Sequence, residues 1–157
     1  MIAVAPLGRA AFDKPHYAAL SSDGHLLMPV QGRVLVNLDP SSGQITTTLT
    51  ANTHQHGVAL TPDGQKLLIV GTGPAGSATG AASLSIFDLT AASETIVPLA
   101  RPHEMVAISP DGREAYLTGG YTFANGGWDG LTIVDLRTLA VRELMVPDRP
   151  QDIVVLP

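Results

Sequence analysis

The chain has no cysteine among its 157 residues, which excludes a disulfide framework, a thiolate nucleophile and any cysteine-ligated zinc or iron–sulfur centre. An excess of cations is missing too: nine Lys and Arg stand against fourteen Asp and Glu, a formal net charge of −5. That balance offers no electrostatic footprint for nucleic acid or for an anionic membrane surface, so neither is expected as a partner. Apolar runs are short, far below the roughly 18 residues of a membrane-crossing helix, and no membrane insertion is expected. Met1-Ile2-Ala3-Val4-Ala5-Pro6 also lacks the cationic start of a signal peptide. Aromatic residues make up only 4% of the chain. Gly and Pro are plentiful, at 16 and 12 residues, a combined share well above the roughly 12% of average proteins. An apolar fraction of 45% suffices for one globular domain, which these breakers cut into short elements.

The elements repeat. Asp-Gly turns recur at Asp23-Gly24, Asp63-Gly64 and Asp111-Gly112, spaced 40 and 48 residues apart. A short apolar stretch precedes each turn, for example Gly57-Val58-Ala59-Leu60, and a second follows it, for example Lys66-Leu67-Leu68-Ile69-Val70. A third ends in Asp39, Asp88 or Asp135, and a more polar fourth closes the unit. These segments are short, rich in Val, Ile, Leu and Thr, and bounded by turn residues, which is the pattern of strands. No helix is expected. Four strands in each 40 to 48 residues make a β-propeller blade, whose faces are buried against neighbouring blades. The expected fold is all-β, a single partial or half propeller over residues 1–157, with blades at about 16–50, 56–100 and 103–146. The six aspartates are expected to serve their turns through side-chain hydrogen bonds to the backbone.

Ala107-Ile108-Ser109-Pro110-Asp111-Gly112-Arg113 and Thr132-Ile133-Val134-Asp135-Leu136 resemble the YVTN-type β-propeller repeats, and the resemblance extends over nearly the whole chain. The relatives it implies differ in activity: surface-layer proteins, heavy chains of quinone-dependent amine dehydrogenases, the haem d1 domain of nitrite reductase and lactonase-like enzymes. It also implies a periplasmic or extracellular location. The resemblance therefore implies a fold without choosing a function.

Unit length varies almost entirely between the second and third strands, where Gln31-Gly32 in the first unit is replaced by the longer Gly71 to Ala82 and Gly119 to Gly130. Strand direction alternates, so these loops emerge on the same face as the segments leading into the innermost strands. That face also receives His16, His54, His56 and His103. Counting back from the Asp-Gly turns, His16, His56 and Glu104 occupy the same place; matching the later segments pairs His103-Glu104 with Gln151-Asp152. One reading is a ring of ligands, His16, His54, His56, His103, Glu104 and Asp152, holding a divalent zinc, copper, iron or calcium ion. The other is that the repeat places histidine there to hydrogen-bond the loop backbone. Tyr121, Phe123, Asn125 and Trp128 cluster in the third long loop, either as a ligand-binding surface or as a plug over the blade. Gly71-Thr72-Gly73-Pro74-Ala75-Gly76 matches a dinucleotide fingerprint by spacing, but a strand rather than a helix follows, so no dinucleotide is expected.

Met1 to Leu7 reads as an outer strand and Asp152 to Leu156 as an inner one, each without the rest of a blade. Three blades do not close a ring. The expected solution is a homodimer, a second propeller chain that completes the ring, or a longer protein of which this chain is part. Two functions stand: a binding or scaffold module presenting its loop face, and a metal- or cofactor-dependent enzyme, redox or lactone-hydrolysing.

Overall fold

Each Asp-Gly turn folds one apolar run back on another, and the computed structural model shows the resulting ladders. It describes residues 15–30, 32–52, 55–71, 81–119, 129–148 and 150–156. The first sheet contains β1 (Ala19–Leu20), β2 (Leu26–Pro29), β3 (Val34–Leu38) and β4 (Ile45–Leu49). The second contains β5 (Val58–Leu60), β6 (Lys66–Gly71), β7 (Ser83–Asp88) and β8 (Ser93–Pro98). The third contains β9 (Met105–Ile108), β10 (Glu114–Thr118), β11 (Gly130–Asp135) and β12 (Val141–Met145). All three are antiparallel meanders in chain order, and there is no helix among the described residues. The first strand β5 lies beside β1 on one side and β9 on the other. The architecture is all-β and β-propeller-like, as the repeat predicts.

The turns are built alike. Thr61 Oγ1 donates to Asp63 at 2.6 Å and Ser109 Oγ to Asp111 at 2.6 Å, and Ser21 donates to Asp23 in the same way. These bonds favour the carboxylate and hold all three aspartates below their usual range. In the next bend of each sheet, Asp39 accepts from Ser41 N, Asp88 from Thr90 N and Ala91 N, and Asp135 from Arg137 N and Thr138 N, all at 2.7 to 2.9 Å. Four residues beyond each of these aspartates the backbone is left-handed, at Gly43 (φ 73°), Ala92 (φ 48°) and Leu139 (φ 62°). Only glycine, which has no Cβ to crowd, adopts that conformation freely. Ala92→Gly is therefore expected to raise stability by up to about 1 kcal/mol, read as a higher denaturant midpoint; a lower midpoint would show that the turn carries no strain.

The first Asp-Gly turn is one residue shorter than the others. Ser21 N bonds His25 O, whereas Thr61 N bonds Lys66 O and Ser109 N bonds Glu114 O. Leu20 consequently faces Leu26, while Leu60 faces Leu67. A shift of one residue exchanges the two faces of a strand. Leu27 therefore occupies the place of Leu68 and packs with Leu35 against Leu67, Ile69 and Phe87 of the second sheet. From the other side of the second sheet, Leu68, Val70, Leu84 and Ile86 meet Val106, Ala115, Leu117 and Val134 of the third. The middle strands of the second sheet are thus covered on both faces, with each fully buried aliphatic side chain worth about 1.5–3 kcal/mol.

Met28, Val30 and Val36, turned away from the second sheet, form their own buried cluster, and Thr118 and Ile133 on the far side of the third sheet are buried too. The centres of both outer faces are thus buried. The stretch from Asp152 to Leu156 forms no strand, because no strand beyond the third sheet accepts its backbone bonds among the described residues. Met1 to Leu7 lie outside the described residues.

Candidate functional site

His16, His56 and Glu104 each stand seven residues before an Asp-Gly turn, at the point where the chain enters the innermost strand of a sheet. The fold turns that equivalence into contact. The His16 and His56 rings meet edge to face with centroids 5.2 Å apart, and His56 Nδ1 lies 3.0 Å from Glu104 Oε2. His16 also stacks edge to face on Tyr17, at 6.4 Å. One row of titratable side chains therefore crosses all three blades, exposed at His16 and half-buried at His56 and Glu104. Imidazoles donate and accept hydrogen bonds while the carboxylate accepts them, so the row can recognise a polar ligand or partner surface.

His103 does not join the row. Its side chain is 4% exposed, and Nε2 shares a 2.7 Å hydrogen bond with Thr132 Oγ1 of β11. Burial lowers its pKa to about 4, assisted by the charge of Arg101 and opposed by a hydrogen bond with the Arg101 backbone. Asp152 is exposed and accepts from Ile153 N at 2.7 Å. Among the described residues, no group of three or more His, Asp or Glu side chains is disposed to hold a metal ion. Of the described members of the expected ligand ring, His16, His56 and Glu104 come together, His103 is folded inward and Asp152 bonds its own neighbour. His54, Tyr121, Phe123, Asn125 and Trp128 lie outside the described residues.

Behind the row runs a polar seam that the sequence reading missed. Gln55, next to His56 in the chain, is fully buried. Its Nε2 reaches the carbonyls of Val30, Gly32 and Val34 at 2.7, 2.9 and 3.2 Å, binding the β2–β3 connection to the second blade. Thr50 Oγ1 donates to Gln55 Oε1 at 3.3 Å. Asn52, also fully buried, accepts from Ser83 Oγ at 3.0 Å. Glu94 of β8 accepts from Ala51 N and Ser85 Oγ, both at 2.5 Å, and from Asn52 N at 3.3 Å. The signal was positional: Gln55 precedes His56 just as the buried His103 precedes Glu104. Glu94→Ala strands the two loop amides and is expected to cost about 2 kcal/mol, measured by denaturant unfolding. A loss no larger than that of a typical surface substitution would remove Glu94 from the seam.

No family model matches the chain, and no curated protein matches it. Among solved structures it is similar to TolB from Acinetobacter baumannii, a β-propeller-containing protein, with a TM-score of 0.60 and 17% identity. The match covers 82% of this chain and 32% of that one, so the chain spans about a third of the length of TolB. The similarity agrees with a β-propeller-like fold.

Proposed function

We propose that this chain is a YVTN-type propeller segment that serves as a binding or scaffold module and presents the His16–His56–Glu104 face to its ligand or partner. One observation carries the reading: three blades place hydrogen-bonding side chains at the same register position and bring them into contact across the seams. Repetition of a polar row on one face is how a multi-blade scaffold builds a recognition surface larger than any single blade supplies. A photo-crosslinking side chain placed at position 16 should capture a partner in host extract, and one at Ser22, beside an Asp-Gly turn on the opposite face, should not. The same adduct should disappear when His56→Ala and Glu104→Gln are combined. Equal capture from both faces, or capture indifferent to the double change, would overturn the reading.

The module works as a pair of chains. Leu144, Met145, Val154 and Leu156, at the third-blade end and in the closing stretch, are all at least half exposed, and apolar groups of that kind favour association. Light scattering should give about twice 16.3 kDa, and Val154→Lys with Leu156→Lys should return the monomer. A parent protein that is already monomeric would refute the pairing.

A further inference from the structure

On the face opposite the histidine row, the Asp-Gly turns of the second and third blades flank a cleft of about 400 Å³. Its floor is apolar, made by Leu68, Ile86 and Leu136, of which the first two are buried. Its rim carries three cations, Lys66 at the start of β6, Arg113 before β10 and Arg137 in the bend after β11, beside the two carboxylates Asp63 and Asp111. Three of the chain's nine cations thus converge on one seam of a protein whose net charge is −5. The repeat does not impose this, because the matching cleft between the first and second blades, lined by Leu20, Ser21, Ser22 and Leu60, contains no Lys or Arg.

The carboxylates at the same rim are already occupied. Asp63 accepts from Thr61 Oγ1 and from Gln65 N at 3.0 Å, and Asp111 accepts from Ser109 Oγ and from Arg113 N at 3.1 Å. Arg113 Nε lies 3.6 Å from Asp111 Oδ2, with both side chains well exposed, an arrangement that binds weakly in water. Among the described residues, Lys66 and Arg137 make no ion pair within 4 Å.

We infer that this seam cleft binds an apolar chain ending in a carboxylate, whose body lies on Leu68, Ile86 and Leu136 and whose anionic end meets Lys66, Arg113 and Arg137. The volume falls in the range of small-ligand sites. The carboxylate end has two sources, a free aliphatic acid or the C-terminus of an apolar peptide, and the chemistry at the rim is the same for both.

The test is titration calorimetry on the whole chain, with octanoate, its neutral isostere octanamide, and acetyl-Gly-Leu-Leu with a free or amidated end. At least one carboxylate should bind roughly tenfold or more tighter than its amide, and the preference should shrink in high salt. Lys66→Gln and Arg137→Gln, both at exposed positions, should each weaken binding several-fold. Arg142→Gln, whose guanidinium serves Glu114 on β10, should not. Binding of octanoate alone assigns the site to free acids, and binding of the peptide alone assigns it to chain termini. Equal affinity for acid and amide, no binding of either carboxylate, or an Arg142→Gln loss matching that of Lys66→Gln would overturn the inference. None of these outcomes bears on the histidine row, which lies on the other face.

Discussion

Alanine at position 57 is expected to cost about 3 kcal/mol or more. Gly57 leads into β5 and donates its N–H to Glu104 O at 2.8 Å, a main-chain bond between neighbouring blades. A Cβ there would lie 2.4 Å from Glu104 O and 2.7 Å from Met105 Cα. Both obstacles are backbone, and backbone does not swing aside as the end of a long side chain does. Gly57 does not have positive φ, so the cost is steric and not conformational. Gly64→Ala makes the contrast: its φ is +70° and nothing lies within 4 Å of the added atom, which leaves only the left-handed penalty of about 1 kcal/mol. Denaturant unfolding of both variants checks the pair. A Gly57→Ala loss no greater than that of Gly64→Ala would mean that the two blades part easily. The same substitution should also loosen the His56–Glu104 contact, because it forces apart the backbone segments that carry those residues.

Acidification is expected to weaken the fold before most carboxylates titrate, and His103 is the cause. Its folded pKa is about 4, against an ordinary value of 6.5. The unfolded chain therefore binds a proton in the interval where the folded chain does not. Stability is full above pH 6.5, falls as pH drops through the interval, and is lower by about 3 kcal/mol near pH 4. The lowered carboxylates add their own losses as the pH falls toward their ordinary values, 4.5 for Glu114 and 3.8 for Asp23, Asp39, Asp63, Asp111 and Asp135. Unfolding free energies between pH 7 and 5.5 thus isolate the histidine. His103→Gln should flatten that slope whatever it does to the absolute stability. An unchanged slope in the variant would show that the imidazole is not held neutral by burial.

The turns were legible residue by residue. Asp-Gly demands a left-handed glycine and Asp at the head of a bend seeks backbone N–H groups, so Asp63-Gly64 and Asp88 could be placed from local chemistry alone. The alignment of His16, His56 and Glu104 was legible too, as a constant offset from those turns, but their contact was not. The short first turn misled in the opposite direction. Aligning on Asp23-Gly24 puts Leu27 at the place of Leu67, and only the ladder, with Leu20 opposite Leu26, shows that it belongs with Leu68.

Gln55, Asn52 and Glu94 gave no warning, since a polar residue in a loop reads as exposed until the loop is laid against a neighbouring blade. His103 was wrongly grouped with the other histidines for the same reason. Its place in the chain is equivalent to that of Gln55, and which way such a residue turns depends on Thr132, 29 positions away. The sequence by itself determined the strands and turns of the three repeated units, because periodicity and turn chemistry are local and recur three times, whereas the expected strand from Asp152 to Leu156 did not form. Tertiary structure alone decided which side chains face a neighbouring blade, which polar groups are buried in the seams and where cations gather into a cleft. Those outcomes depend on the distance and register between blades, which local preference does not encode.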